Sequence, residues 1–145
     1  MSADRSDHNF VDAWIFIAIA NPFPSTELPN PISNLIGVAD TYNHDIPSAP
    51  QIQHGIRDLL GAGLIEPVGT SFKLTDEGRK KWKRIEPAYL MHLQFAQAVR
   101  ELRKMPCVAD APGWSLDQRT WEDAFAGYSA QFALELKRRR EKAVE

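Results

Sequence analysis

Residues 52–78, IQHGIRDLLGAGLIEPVGTSFKLTDEG, decide the fold. Ile52, Ile56, Leu59 and Leu60 stand at the i, i+4, i+7 and i+8 positions of one helical face, and Gly61 or Gly63 supplies the left-handed residue that closes the helix. Leu64 to Val68 and Phe72 to Leu74 then read as two short extended runs around Gly69-Thr70-Ser71, with Pro67 tolerable only on an edge. Thr75 caps a further helix. Asp76 and Glu77 lie in its first turn, where the helix dipole favours negative charge.

Working outward to the N-terminus, Ser48-Ala49-Pro50-Gln51 has the form of a capping box, in which serine and glutamine satisfy each other's backbone donors and start the helix. Tyr42 to Pro47 is a turn. Before it, Asn30 can cap a helix that takes Pro31 at its first position, where the missing N–H costs nothing, and Ile32, Leu35, Ile36 and Ala39 form its inner face. Val11 to Ala20 is apolar on every side at helical spacing, which describes a helix buried among others. Residues 1–10 read as a flexible N-terminus.

Toward the C-terminus, Pro87 separates the helix beginning near Thr75 from one over 87–104. That helix carries two apolar stripes, Tyr89, Leu93 and Ala96 on one side and Met91, Phe95, Ala98 and Leu102 on another. It therefore needs two partners, the second being the final helix or the same helix of another subunit. A Pro- and Gly-containing connector, 106–114, leads to Ser115-Leu116-Asp117-Gln118, a second capping-box pattern. The last helix then bears the stripe Trp121, Phe125, Tyr128, Phe132 and Leu136 before a charged, fraying tail from Lys137.

The chain has 145 residues, 43% of them hydrophobic and 25% charged, which is enough apolar material for one ordered domain. Cys107 is the sole cysteine, so neither an intramolecular disulfide nor a thiolate-only zinc site can form. The run AWIFIAIA at 13–20 ends like a secretory signal, but Asp4, Asp7 and Asp12 precede it against a single Arg5, and it is too short to span a bilayer. A cytoplasmic protein without membrane contact is the expectation. Charge is divided unevenly: residues 1–78 hold three basic and ten acidic side chains, net −7, and residues 79–145 hold fourteen and nine, net +5.

Three helices, a hairpin and a further helix, with the phrases Leu59-Leu60-Gly61-Ala62-Gly63-Leu64-Ile65 and Leu74-Thr75-Asp76-Glu77-Gly78, resemble the winged helix-turn-helix of MarR- and PadR-type regulators. The resemblance covers roughly residues 11–85. It implies a mainly α fold: a winged helix-turn-helix domain with a short β-hairpin wing, followed by two longer C-terminal helices in an extension over 86–145. It also implies sequence-specific DNA binding in transcription regulation, the third helix entering the major groove and the wing touching the backbone. By position, Gln51, Gln53, His54 and Arg57 would face base edges and Lys73 would approach phosphate. Glutamine suits adenine and arginine suits guanine. Members of such families pair as two-fold dimers, which implies a homodimer through the C-terminal helices with recognition helices ~34–36 Å apart.

The electrostatics leave a second reading open. Specific DNA binders commonly neutralise about 6 to 10 phosphates, whereas the wing tip Gly69-Thr70-Ser71 has no cation and Arg57 and Lys73 are the only donors expected near the interface. A winged helix used for protein–protein contacts without DNA binding is the alternative. No enzyme is expected, since no nucleophile elbow, P-loop or H-E-x-x-H occurs, and no cofactor is expected either. Asp40, His44 and Asp45 read as turn chemistry rather than a metal site.

Overall fold

The all-round apolar run becomes the centre of the molecule: in helix α1 (Arg5–Ala20), every residue from Ala13 to Ala18 is buried. The computed structural model describes residues 5–20, 31–69, 71–88, 90–103 and 114–144. Around α1 stand α2 (Pro31–Asn43), α3 (Ala49–Gly61) and α5 (Met91–Arg103). The antiparallel pair β1 (Ile65–Val68) and β2 (Ser71–Leu74) precedes α4 (Asp76–Ile85), and α6 (Gln118–Val144) closes the chain. Among the described residues the protein is thus mainly helical with one two-stranded hairpin, and none of their helices is long and apolar enough to cross a membrane.

α1 starts earlier than its apolar run. Residues 5–10 continue the helix instead of forming a flexible segment, and Phe10 gives them an anchor, its ring 4.6 Å from that of Phe95 in α5. The buried Trp14 donates Nε1–H to the carbonyl of Ala39 at 2.8 Å, satisfying a polar group that would otherwise be costly in the core and fastening α1 to α2.

Around α3 the structure follows the local signals closely. Ser48 Oγ accepts from the Gln51 N–H at 3.2 Å, and Gln51 Oε1 accepts from the Ser48 N–H at 2.9 Å, so the capping box is complete. At the other end Gly63, at φ 74°, is the left-handed residue, while Gly61 remains helical. Leu64 N–H bonds to the Leu59 carbonyl and Gly63 N–H to that of Leu60, the paired closure of a Schellman motif.

The hairpin pairs Ile65 with Leu74, Glu66 with Lys73, Pro67 with Phe72 and Val68 with Ser71. Ser71 therefore opens the second strand rather than belonging to the turn. Thr75 caps α4 by accepting from the Gly78 N–H at 3.1 Å, and its own N–H donates to the Leu64 carbonyl at 3.0 Å. A Cβ on Gly78 would lie 2.1 Å from the Leu64 oxygen. The spacing L-T-x-x-G thus records a helix start pressed against the backbone that leaves α3.

Four expectations for the C-terminal part need correction. α5 begins at Met91 instead of 87, because Glu86 and Pro87 form a turn after α4. Its Ala98 and Leu102 are buried, whereas Leu93 and Ala96 face solvent; the final helix lies against α2 and leaves that second stripe uncovered. Tyr89 and the Met91 side chain lie outside the described residues. The cap of α6 is Asp117 Oδ1, which accepts from the Thr120 N–H at 2.7 Å and holds its carboxyl below the usual range, while Gln118 turns to Glu122. An ionised carboxylate makes the stronger, charge-assisted bond to the N-terminal N–H groups, so it displaces the Ser115–Gln118 box. Finally, the charged tail stays helical to Val144.

α6 docks on α2 and on the turn that follows it through polar side chains. Ser33 Oγ donates to the Ala124 carbonyl at 2.7 Å, Tyr128 Oη to Asp40 Oδ2 at 2.7 Å, and Trp121 Nε1 to the Pro47 carbonyl at 2.9 Å. Beyond Tyr128 the helix continues with Phe132, Leu134 and Leu136 exposed.

Candidate functional site

α3 buries Ile52, Ile56 and Leu59, and its side toward α1 includes Gly55, where a Cβ would come within 2.7 Å of Ile15 Cγ1. Glycine there lets the two helices approach closely. The remaining face holds Gln51, Gln53, His54 and Arg57, which the family resemblance places at a nucleic-acid interface, and each already has an intramolecular task. Gln51 completes the capping box. Gln53 Oε1 accepts from the Leu116 N–H at 2.9 Å, and Arg57 Nε donates to the Trp114 carbonyl at 2.6 Å. The Trp114 ring meets Phe72 of β2 edge-on at 5.5 Å, and Leu116 is buried. Lys73 pairs with Glu66 across the hairpin at 3.2 Å.

The segment 114–116 therefore lies along α3 and β2, over the face of α3 that the family resemblance assigns to DNA. Trp114 and Leu116 were absent from the candidate residues. Their only signal in the sequence is a bulky aromatic at the end of a connector rich in Pro and Gly, where a solvated linker has no use for one.

His54 faces a different neighbour. Its Nε2 is 3.1 Å from Asp58 Oδ2, one helical turn on, and Asp12 of α1 brings a carboxylate oxygen within 4.8 Å of both. Burial first, and then the hydrogen bond and charge of Asp58, push the Asp12 carboxyl far above the ordinary range. Asp12 Oδ1 is buried without a hydrogen-bond partner. This grouping of an imidazole and two carboxylates unites residues 46 positions apart and had no sequence signal beyond the i, i+4 pair itself.

The Asp40–His44–Asp45 turn is used for structure. Asp40 receives the Tyr128 hydroxyl, which burial and the Asp40 charge hold well above the ordinary tyrosine range, and Asp45 Oδ1 accepts from the Ile46 N–H at 2.9 Å. His44 takes a positive φ of 52° as the chain leaves α2. Between α1 and α5 an open groove of about 750 Å³ is lined by Phe10, His92, Phe95, Val99, Arg100 and Arg103. Cys107 lies outside the described residues.

On the basic half, α4 presents Lys80, Lys83 and Arg84 to solvent, although Arg84 reaches the buried Glu101 at 3.4 Å, as does Lys81. Lys137 to Arg140 are exposed on α6. In comparisons with known proteins, the chain matches no family model, no curated protein and no solved structure.

Proposed function

We propose that the chain is a winged-helix protein whose exposed helical surfaces serve protein–protein contacts, with a second copy of itself as the first partner. The observation that carries this reading is the occupation of the third helix: Gln53 and Arg57 hold the backbone of Leu116 and Trp114, so the face that reads bases in the resembled families is committed to the chain's own C-terminal segment. The longest exposed apolar run that continues a packed stripe is the outer part of α6. There the stripe that packs on α2 as far as Tyr128 runs on through Phe132 and Leu136 into solvent. Exposed apolar residues that continue a buried stripe are the usual mark of an interface. A two-fold pairing of α6 covers them with the same residues of the partner.

The second reading, a DNA-binding transcriptional regulator, draws on the cations Lys80, Lys83, Arg84 and Lys137 to Arg140. It requires residues 114–116 to leave α3 before Arg57 can reach a base. Two measurements separate the readings. Light scattering on the full chain is expected to give a dimer that Phe132→Glu converts to monomer; a strict monomer retires the self-association. Fluorescence anisotropy with mixed-sequence duplex at low salt is expected to show no saturable binding. Saturable binding that Trp114→Ala strengthens, and that Arg57→Ala weakens by about 1–3 kcal/mol at one base position, would establish the regulator reading instead.

A further inference from the structure

The seam between α1 and α3 carries three donor groups that the interface reading leaves unused. His54 and Asp58 share one face of α3 at i and i+4, the spacing that lets two helix side chains bind one cation. Ligands held by bonds of about 2.0–2.2 Å stand roughly 3–3.5 Å apart on a single ion. The 3.1 Å between His54 Nε2 and Asp58 Oδ2 already matches that separation. From the other helix Asp12 closes the triangle, with an oxygen within 4.8 Å of both, and Gly55 permits the close approach that brings it there.

Two further observations point to a cation. Asp12 Oδ1 is buried without a partner, an arrangement that destabilises the fold unless something satisfies it. Asp12 and Asp58 each bring a carboxylate oxygen into the same triangle, within 4.8 Å of one another, and a positive ion between them relieves their mutual repulsion. The imidazole selects among ions: magnesium and calcium take oxygen ligands, whereas one nitrogen with two carboxylates suits zinc and its first-row neighbours.

The geometry points to a divalent transition-metal site at Asp12, His54 and Asp58, with Zn²⁺ as the ion the donor set fits and water completing its coordination. The ion clamps α1 to α3 and cancels the two carboxylates beside the face that holds residues 114–116. This inference is independent of what the exposed end of α6 binds.

The test is calorimetric titration of the full-length chain with Zn²⁺. One equivalent is expected to bind at micromolar affinity, and a hundredfold excess over Kd is expected to raise Tm by roughly 5–10 °C. Mg²⁺ is expected to do neither. Asp58→Asn and His54→Ala should each weaken binding by more than about the 10–100-fold that loss of an outer-shell partner costs, whereas Cys107→Ser and His92→Ala should leave it unchanged. A second measurement needs no variant: Zn²⁺ should shift the amide resonances of Asp12, His54 and Asp58 in the wild-type chain. Absence of binding at high-micromolar Zn²⁺, binding that survives in both site variants, or shifts centred on other residues would overturn the site.

Discussion

The region from Ser48 to Gly78 and the helix α6 are held by different means. In the first, each reversal is closed by residues a few positions apart: a capping box, a Schellman closure, a short hairpin and a threonine cap. α6 has its own cap in Asp117, but its position depends on hydrogen bonds that reach across the chain from Ser33, Asp40 and Pro47. Half of it is fastened and half stands out. A locally closed unit tolerates little change at its tight points, whereas a helix held by distributed long-range bonds should loosen in steps.

That contrast can be broken most sharply at Gly78. Gly78→Ala drives a methyl group toward the Leu64 carbonyl, and rigid backbone leaves it no escape; a loss of about 3 kcal/mol in denaturant-unfolding stability is expected, with the whole fold affected. A loss below about 1 kcal/mol would mean that the unit yields more easily than its geometry implies. Ser33→Ala removes one tie of α6, and about 1 kcal/mol is expected, with faster hydrogen exchange confined to the stretch around Ala124. Exchange that quickened equally in α3 would erase the distinction between the two regions.

Tyr128 offers a spectroscopic check on the same dock. Burial and Asp40 raise its pKa, so the folded state keeps the phenol proton to higher pH than the unfolded chain does. The stabilisation is complete below the ordinary tyrosine value and is lost as pH rises through the folded value. Absorbance at the phenolate band should show a late-titrating tyrosine, and Tyr128→Phe should delete that late phase. The smallest effect belongs to the hairpin: Lys73 and Glu66 are both about half exposed, so Lys73→Ala should change thermal stability by only a few tenths of a kcal/mol, measured by calorimetry.

Much of the order of elements was legible because its signals are short. The capping box at Ser48, a glycine closure at Gly61 or Gly63, the hairpin and the Thr75 cap each involve neighbours whose backbone groups have few other partners. The start of α1 and the cap of α6 were misread for the same kind of reason in reverse. Arg5 to Asn9 become helical because Phe10 finds Phe95, and Asp117 outcompetes the serine two positions before it. Phe95 lies far along the chain and shows in no local pattern, whereas the cap of α6 is a local contest between Ser115 and Asp117 that the ionised carboxylate wins.

By itself the sequence determined where helices begin and end around the hairpin, that α1 would be buried on all sides, and that one half of the chain would be acidic. Only the tertiary structure decided what the polar side chains of α3 do. Gln53 and Arg57 find their partners 63 and 57 positions away, and Asp12 meets Asp58 across two helices. Glutamine, arginine and aspartate bond equally well to a base edge, a phosphate, a metal ion or a peptide carbonyl, so their chemistry fixes no partner in advance. The partner is chosen by which backbone the fold brings within about 3 Å, and that proximity is set by packing of the apolar faces rather than by the polar residues themselves.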